Sequence, residues 1–263
     1  MGRANQHSST PGTPTLLIPM RCYVPPADWS NELIALSQEE AHHAAHVLRA
    51  KVGQPVKVFD GCGREGVTEI KELRRNRVTL KMVQQSAKPK PRVSLTLVQA
   101  LTREQKLDFI LQKATELGVT TIVPVLTEHA IARIRPGEEE ARHHRWQRIV
   151  LNAAKQCGAV WMPDVQPLIK MQAFLETSPR YDLFLVGSLA IDAKPLREVI
   201  RVARERERTN IAFLIGPEGD LTVREDSAAR NAGAIPVNLG ELTLRAETAA
   251  IFALSVLKYE FAM

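Results

Sequence analysis

The sequence predicts an α/β protein in which helices cover both faces of a mostly parallel sheet, preceded by a small β-rich unit. Two observations lead to this fold class. From residue 94 onwards, short apolar strands alternate with amphipathic helical stretches, as in parallel sheets that are buried on both faces. Residues 21–84 instead combine several strand-like segments with one helical segment, which predicts a compact barrel.

The first 20 residues are expected to form a disordered tail. They are rich in Ser, Thr and Pro, contain few charges and lack the apolar core of a secretory signal. Because strand-like sequence begins at Arg21, we hypothesise that translation starts at Met20.

Turn and cap signals define the elements of the β-rich unit. Ser37 and Glu40 have the spacing of a capping box, so a helix is expected from there to about Ala50. Strands are predicted at 55–59, 67–73 and 77–83. Residues 85–91 (QSAKPKP) have the composition of a linker, since Pro cannot join a strand ladder.

The remaining residues, 92–263, are predicted to form the α/β domain. Strands are expected at 94–100, 121–125, 182–186, 211–215 and 235–239. Helices are expected at 102–118, 138–157, 196–206 and 223–232, and from 247 to the end, with Thr102 and Thr222 as N-caps. Ligands of parallel sheets bind at the carboxyl ends of strands, which makes the loops after these strands candidate sites.

The two parts of the chain differ in charge. Residues 1–91 hold 13 basic and 8 acidic side chains, a net charge of +5, whereas residues 92–263 hold 22 and 21, a net charge of +1. Nucleic acid is therefore the leading partner of the N-terminal unit, and a solubilising surface charge is the alternative. The candidate RNA contacts are Arg21, Arg49, Lys51 and Arg64.

Several classes of protein are disfavoured. Three cysteines without CxxC spacing argue against a disulfide framework or a zinc site, and a reducing, cytoplasmic location fits best. The sequence contains no run of about 18 apolar residues, so no membrane-spanning helix is predicted. The histidines at 42, 43 and 46 lack HExxH order, and we expect no bound metal.

The strongest motif is Gly216-Pro217-Glu218-Gly219, which follows the predicted strand at 211–215. Its two glycines allow the backbone to approach a ligand closely. The loop is neither a P-loop nor a GxGxxG dinucleotide loop, and a plain strand–helix turn is the alternative. A Rossmann methyltransferase is disfavoured because no Gly-rich loop follows the strand at 94–100.

A second loop, residues 239–248, follows the predicted strand at 235–239. Leu242 and Leu244 are unusually apolar for an exposed loop, so we expect burial, with the loop forming one wall of an adenine pocket. Arg245 is expected to face the reacting group, and a structural pair with Glu247 is the alternative.

These motifs resemble the signature of the small-subunit ribosomal RNA uridine N3-methyltransferases, which belong to the SPOUT class. The matching segments are 215–219 (IGPEG), 239–240 (LG) and 244–249 (LRAETA), with 46–49, 60–63, 113–118 and 145–149 in family order. The resemblance covers nearly the whole chain from Arg21. It implies a PUA-like barrel at 21–84, a trefoil-knotted domain that binds S-adenosylmethionine, and a homodimer.

The resemblance also implies which residues hold S-adenosylmethionine. They are Leu185, Val186, Gly187, Ile215, Gly216, Pro217, Glu218, Gly219, Val237, Asn238, Leu239, Gly240, Leu242, Leu244 and Thr248. Glu218 is expected to reach the ribose or the amino group of the cofactor, and capping of the neighbouring helix is the alternative.

Methyl transfer to N3 of a uridine needs mainly positioning, with no metal or covalent intermediate. Arg245 is the candidate for stabilising the uridinate that forms as N3 loses its proton. Asn152 and Gln156 lie four residues apart on one helix face and are candidates for hydrogen bonds to the base; simple solvation is the alternative. A noncatalytic RNA-binding assembly factor that retains a cofactor pocket is the alternative to an enzyme acting on the rRNA or the small ribosomal subunit.

Three positions depart from the family pattern. Asp220 stands where a further glycine is usual, Lys155 where Glu is usual, and His129 where Arg is common. The changes at 155 and 129 fall in segments that are expected to face RNA.

Overall fold

The computed structural model describes residues 20–261 except 48, 75–76, 131–134, 136 and 178–180. The predicted disordered tail lies outside the described residues, apart from Met20, which is buried in the N-terminal core. Among the described residues, no helix combines the length and the apolar character needed to cross a bilayer.

The N-terminal domain contains a five-stranded sheet of order β1-β3-β4-β5-β2. Its strands are β1 (Arg21–Tyr23), β2 (Leu33–Ala35), β3 (Pro55–Phe59), β4 (Arg64–Arg74) and β5 (Arg77–Ala87). Helix α1 (Gln38–His42) follows β2 and continues as a π-helical turn (His43–Val47). All five strands contribute to one small core, which includes Cys22, Ile34, Val58, Ile70 and Leu80.

Two elements of this domain end at different places from those predicted. The helix ends near Val47, and Arg49 then adopts a left-handed backbone conformation with φ 49°. Strand β5 runs to Ala87, where it pairs with Arg64, so the first residues of the predicted linker continue a long hairpin. Pairing with β4 extends β5 in this way, and the local sequence of β5 does not show this pairing.

The C-terminal domain contains a parallel sheet of order β11-β13-β10-β12-β6-β7-β8, and β9 pairs with β7. Its strands are β6 (Ser94–Ala100), β7 (Thr121–Leu126), β8 (Asp164–Val165), β9 (Ile169–Lys170), β10 (Leu183–Gly187), β11 (Lys194–Pro195), β12 (Asn210–Ile215) and β13 (Ile235–Asn238). The five predicted strands are all present, and the short strands β8, β9 and β11 were missed. The trefoil knot stays a prediction, because strand order alone does not define how the chain is threaded.

In the described part of this domain, six helices cover both faces of the sheet, as the alternating pattern predicted. They are α2 (Glu104–Glu116), α3 (Glu139–Cys157), α4 (Met171–Thr177), α5 (Leu196–Ala203), α6 (Val223–Asn231) and α7 (Ala246–Phe261). Helices α2, α3, α5 and α7 share one core, which contains Phe213 of β12, and α4 and α6 share the other, which contains Leu214. Helix α4 was not predicted, and Thr102 does not cap α2, whose N-cap is Arg103.

The carboxyl end of α3 joins the two domains. The Arg21 guanidinium donates hydrogen bonds to the carbonyl oxygens of Ala154 (2.9 Å) and Ala159 (2.8 Å). A cation is favoured there because the last carbonyls of a helix carry partial negative charge. Lys155 Nζ lies 2.6 Å from Glu40 Oε1 of the N-terminal domain. The ring of Trp161 covers Gly63 so closely that a Cβ there would lie 2.5 Å from it.

Candidate active site

Three loops meet at the carboxyl edge of the sheet. Strand β10 pairs with both β12 and β13, so the segments that follow these strands are neighbours. They enclose a cleft of about 620 Å³, a volume suited to a small-molecule ligand. A larger groove of about 890 Å³ between α5 and α7 shares residues 238–241 with the cleft, but the Gly-Pro-Glu-Gly loop does not line it. The cleft is therefore the candidate site.

Most of the residues expected to bind the cofactor line this cleft: Gly187, Ile215, Gly216, Pro217, Glu218, Val237, Asn238, Leu239, Gly240, Leu242 and Leu244. The other four residues do not line it. Leu185 and Val186 are fully buried, one in each core, because they precede the end of β10. Gly219 faces His129, and Thr248 lies on the exposed side of α7.

The apolar loop after β13 is less buried than expected. Leu244 is half-buried, whereas Leu242 is 81% exposed at the cleft. The expectation of a buried loop is therefore wrong for Leu242 in the isolated chain. Its side chain instead forms an accessible apolar rim.

The Gly-Pro-Glu-Gly loop is braced by two of the three departures from the family pattern, Asp220 and His129. Asp220 adopts a left-handed backbone (φ 59°), a conformation that suits glycine and that Asp tolerates, and its Oδ1 accepts a hydrogen bond from Leu221 N (2.8 Å). His129 Nδ1 lies 3.0 Å from Gly219 O and 3.1 Å from Asp220 O. Both partners are acceptors, so Nδ1 carries a proton and donates. His129 therefore supports the loop through this nitrogen.

A complete capping box follows the same loop. Thr222 Oγ1 accepts a hydrogen bond from Glu225 N (3.2 Å), and Glu225 Oε2 accepts one from Thr222 N (2.9 Å). Glu225 Oε1 also accepts a hydrogen bond from Glu128 N (2.8 Å), in the loop after β7. The prediction of Thr222 as the N-cap of α6 is confirmed, and Glu218 is not needed for this cap.

Glu218 instead pairs with Lys106, a residue that the sequence analysis missed. Lys106 Nζ lies 3.0 Å from Glu218 Oε1 and 3.4 Å from Glu247 Oε2. Burial opposes ionisation of Glu218, but the hydrogen bond and charge of Lys106, a backbone hydrogen bond and the charge of Arg103 together outweigh it and lower the Glu218 pKa. The hydrogen bond to Glu218 also raises the Lys106 pKa. Lys106 reaches both loops because β6, which precedes α2, pairs with β12, and such strand order is not visible in the sequence.

Arg245 lines the cleft with an exposed side chain. Its carbonyl oxygen accepts a hydrogen bond from Ala249 N (2.8 Å), which places it at the start of α7. The alternative pair with Glu247 is not formed, since Glu247 faces Lys106. Within the described part of the chain, Arg245 forms no ion pair within 4.0 Å. Its guanidinium is therefore available to a ligand.

Asn152 and Gln156, the candidates for hydrogen bonds to the base, lie away from the cleft of their own chain. Helix α3 connects two parallel strands and therefore runs away from the carboxyl edge. Asn152 is in a separate groove with Phe109 and Gln112 of α2. Gln156 is beside Ala154, whose carbonyl bonds to the N-terminal domain. At 1.5 Å per residue, Gln156 is roughly 25 Å along the helix from its first residue.

The candidate RNA contacts divide into two pairs. Arg21 is held between the domains, which makes it a structural residue and corrects its assignment as an RNA contact. Arg64 pairs with buried Asp60 (2.6 Å) and stacks on Trp29, with 5.0 Å from Cζ to the ring centre. Arg49 and Lys51 are exposed. Lys155, expected to face RNA, points instead at Glu40.

The described residues contain no group of three or more His, Cys, Asp and Glu side chains placed to hold a metal ion. A basic β domain joined to a parallel α/β domain, with a small-molecule cleft at the strand ends, defines the class of two-domain α/β enzymes that act on nucleic acid.

Comparison with known families agrees with this class. Residues 88–258 match the family described as RNA methyltransferase domain, and residues 36–83 match the RNA methyltransferase PUA domain. The first match alone spans more than half of the chain, and the chain therefore belongs to this family of RNA methyltransferases.

Relatives and solved structures resemble the chain along most of its length. Ribosomal RNA small subunit methyltransferase E of Synechocystis is 30% identical over 89% of this chain and 76% of its own, and that of Rickettsia conorii is 27% identical over 83% and 86%. The Neisseria gonorrhoeae enzyme bound to S-adenosyl methionine has a TM-score of 0.82 at 30% identity, over 92% of this chain and 98% of its own. A Legionella pneumophila putative methyltransferase with bound SAM has a TM-score of 0.84 at 28% identity, covering 92% and 97%.

Proposed function

We propose that the protein uses S-adenosylmethionine to methylate N3 of a uridine in small-subunit ribosomal RNA. The observation that carries the proposal is the cleft itself: the two motif loops line it together, and Arg245 lies on its wall. The names of the relatives support the RNA substrate, and two similar structures hold this cofactor.

The residues of the cleft fit the chemistry of this cofactor. Leu239, Leu242 and Leu244 offer apolar surface for an adenine ring. A Cβ placed on Gly240 would meet no atom within 4 Å, so the backbone leaves open space at this position. The Glu218 carboxylate, kept ionised by its lowered pKa, suits a ligand with a positive sulfonium and ribose hydroxyls. When bound, the cofactor supplies an electrophilic methyl group.

Arg245 has the proposed catalytic role. N3 of uridine carries a proton that must leave before or during methyl transfer, and negative charge then develops on the oxygens beside N3. A guanidinium close to these oxygens favours the deprotonated base and lowers the barrier. The guanidinium is exposed at the cleft and forms no ion pair with any residue that the structure describes, which supports this role.

We also propose that the protein is a homodimer. Exposed aromatic side chains lie on two helices that pack side by side: Phe252 (42% exposed) and Tyr259 (72%) on α7, and Phe109 (45%) on α2. Leu254 and Leu257 of α7, by contrast, belong to the core of the chain. In a dimer, Asn152 and Gln156 would contact a base only at the cleft of the partner subunit.

The N-terminal domain is the proposed rRNA-binding part, with Arg49 and Lys51 as its contacts. Its excess of positive charge and its match to an RNA methyltransferase PUA domain support this role. We propose that residues 21–84 belong to the RNA-binding domain and residues 92–263 to a knotted methyltransferase domain; of the predicted linker at 85–91, residues 85–87 belong to strand β5. A cytoplasmic location follows from the proposed substrate.

Transfer of a labelled methyl group tests the function. The protein is incubated with labelled cofactor and either small ribosomal subunits or naked rRNA, and digested RNA is analysed for 3-methyluridine. We expect label in one of these substrates, and Arg245→Ala should lower kcat by about 10²- to 10³-fold with little change in cofactor affinity.

Arg197→Ala, which changes an exposed arginine on α5 outside the cleft, is the matched control. Full activity of Arg245→Ala would refute the catalytic role. Cofactor binding without transfer to either RNA substrate would favour the noncatalytic assembly factor, and absence of cofactor binding would refute both functions.

A further inference from the structure

Lys106 connects three elements that surround the cleft. It lies in the first turn of α2, whereas its two partners belong to the loop after β12 (Glu218) and to the first turn of α7 (Glu247). Neither the motifs nor the proposed chemistry gives Lys106 a role. Because the two motif loops come from strands on either side of β10, a residue that touches both can set the distance between them.

The three side chains form a partly buried cluster with unequal charge. Side-chain exposure is 26% for Lys106, 20% for Glu218 and 17% for Glu247. Both carboxylate oxygens lie within 3.4 Å of the same ammonium nitrogen, so the two negative charges are close neighbours. Like charges at such separations repel strongly where water is partly excluded, and the ammonium offsets that repulsion.

The Glu247 carboxylate depends on its ion pair with Lys106 more than the Glu218 carboxylate does. Glu247 Oε2 is buried and has no hydrogen-bond partner among the described residues apart from its ion pair with Lys106. An unpaired buried carboxylate is costly and moves towards water when it can. Loss of the ammonium would therefore displace the start of α7.

The start of α7 also carries Arg245. Glu247 follows Arg245 by two residues, and the Arg245 carbonyl accepts the hydrogen bond of Ala249 N. Arg245 itself makes no ion pair among the described residues that would hold its backbone by another route. The anchoring of Glu247 therefore helps to place its guanidinium, together with the buried Ala246 and Ala250 of α7.

We propose that Lys106 is a positioning residue: its ammonium holds the Gly-Pro-Glu-Gly loop and the start of α7 at the separation that the cofactor requires, and so places Arg245. This inference rests on the proposed function. Lys106 acts through the two carboxylates, and its raised pKa agrees with an ammonium that stays charged and does not serve as a base.

The test measures binding of S-adenosylmethionine by calorimetry and steady-state methyl transfer for the full-length protein. Lys106→Met should raise the cofactor Kd about 10-fold or more, raise KM for the cofactor and lower kcat, because both the pocket and Arg245 shift. Lys106→Arg keeps the charge and should stay within about 3-fold of the unaltered protein. The double variant Lys106→Met/Glu247→Gln removes the unpaired carboxylate at 247 and should recover part of the lost affinity, because the carboxylates no longer repel each other but no ammonium links the two loops.

Lys113→Met is the matched control. Lys113 lies on the same helix and pairs with Glu116 (2.8 Å) away from the cleft, so it should leave binding and kcat unchanged. If Lys106→Met has the same cofactor affinity and kcat as Lys113→Met, the positioning role of Lys106 is overturned, while the proposed function is not affected. Equal loss of affinity in the double variant would overturn it too, because it would indicate direct contact between Lys106 and the ligand.

Thermal unfolding separates positioning from folding. If Lys106→Met fails to fold, the positioning role is tested by comparing the cofactor Kd of Lys106→Arg with that of the double variant. Both variants keep the cluster free of an unpaired carboxylate at 247. Failure of the unaltered protein to bind S-adenosylmethionine would overturn the proposed function, and this outcome is distinct from any effect confined to Lys106.

Discussion

Lys155 shows how a single side chain joins two domains. Its ammonium lies 2.6 Å from Glu40, and the side chains are only 17% and 7% exposed. The same carboxylate lies beside the buried Cys22 thiol, whose pKa is raised by burial first and by Glu40 second. Because Glu40 precedes Lys155 by 115 residues, no local reading of α3 could show that this lysine points at the N-terminal domain and not at RNA.

Removal of Lys155 should destabilise the protein. Lys155→Met leaves Glu40 buried without a partner, and we expect a loss of about 2–4 kcal/mol in the free energy of unfolding measured with urea. The double variant Glu40→Gln/Lys155→Met should lose clearly less than the sum of the two single variants, because neither charge is left alone. Lys113→Met, at a more exposed pair, should cost less than about 1 kcal/mol. Additive losses at positions 40 and 155 would contradict the coupling.

Helix starts show how far a local sequence signal reaches. Three predicted helix starts have a Ser or Thr followed three residues later by Glu or Gln: those at Ser37, Thr102 and Thr222. Only Thr222 forms a complete capping box. At Ser37 the hydroxyl accepts from Glu40 N, but the Glu40 carboxylate faces Lys155. At Thr102 the helix begins one residue later. A tertiary contact thus replaced the second hydrogen bond of the box at Ser37, and at Thr102 the local signal placed the helix start one residue too early.

Helix α7 carries the prediction at the scale of an element. Its inner side chains, Leu254 and Leu257, fill the core, while Phe252 remains 42% exposed. If α7 forms the dimer interface, Phe252→Glu should convert the dimer to a monomer in sedimentation-equilibrium experiments, because an unpaired charge would be buried at the interface. Val223→Glu on α6 is the control, since Val223 is 85% exposed and α6 packs on the opposite face of the sheet. A dimer that persists in Phe252→Glu would exclude this face as the interface.

For the molecule as a whole, the sequence predicted more of the fold than of the site. Nearly continuous apolar strands such as β12, separated by amphipathic helices, predicted a sheet covered on both faces, since each strand must bury both sides. Motif loops 216–219 and 239–245 located the cleft. Strand order is set by contacts between distant segments, so the sequence did not reveal that β6 lies beside β12 and brings Lys106 to the cleft. For the same reason it did not reveal that Arg21 is held between the domains.

The division of charge between the domains leads to a prediction about RNA binding. Arg49 and Lys51 are exposed on the domain that carries most of the excess positive charge. If each contacts one phosphate, the full-length Arg49→Gln/Lys51→Gln variant should bind an rRNA fragment more weakly. The slope of log K against log salt concentration should become shallower by about 1.4–1.8, because fewer counterions are released.

The control for this measurement removes the same charge from the other domain. Arg197→Gln/Arg201→Gln changes two exposed arginines on α5, and fluorescence anisotropy at several salt concentrations compares the two variants. Equal changes in slope would mean that the RNA contacts both domains alike. A change confined to positions 49 and 51 would mean that the N-terminal domain holds the backbone while the near-neutral domain meets the RNA mainly at its cleft. Because Arg21, Lys155 and Trp161 join the domains, the phosphate contacts would then help to set which nucleotide reaches Arg245.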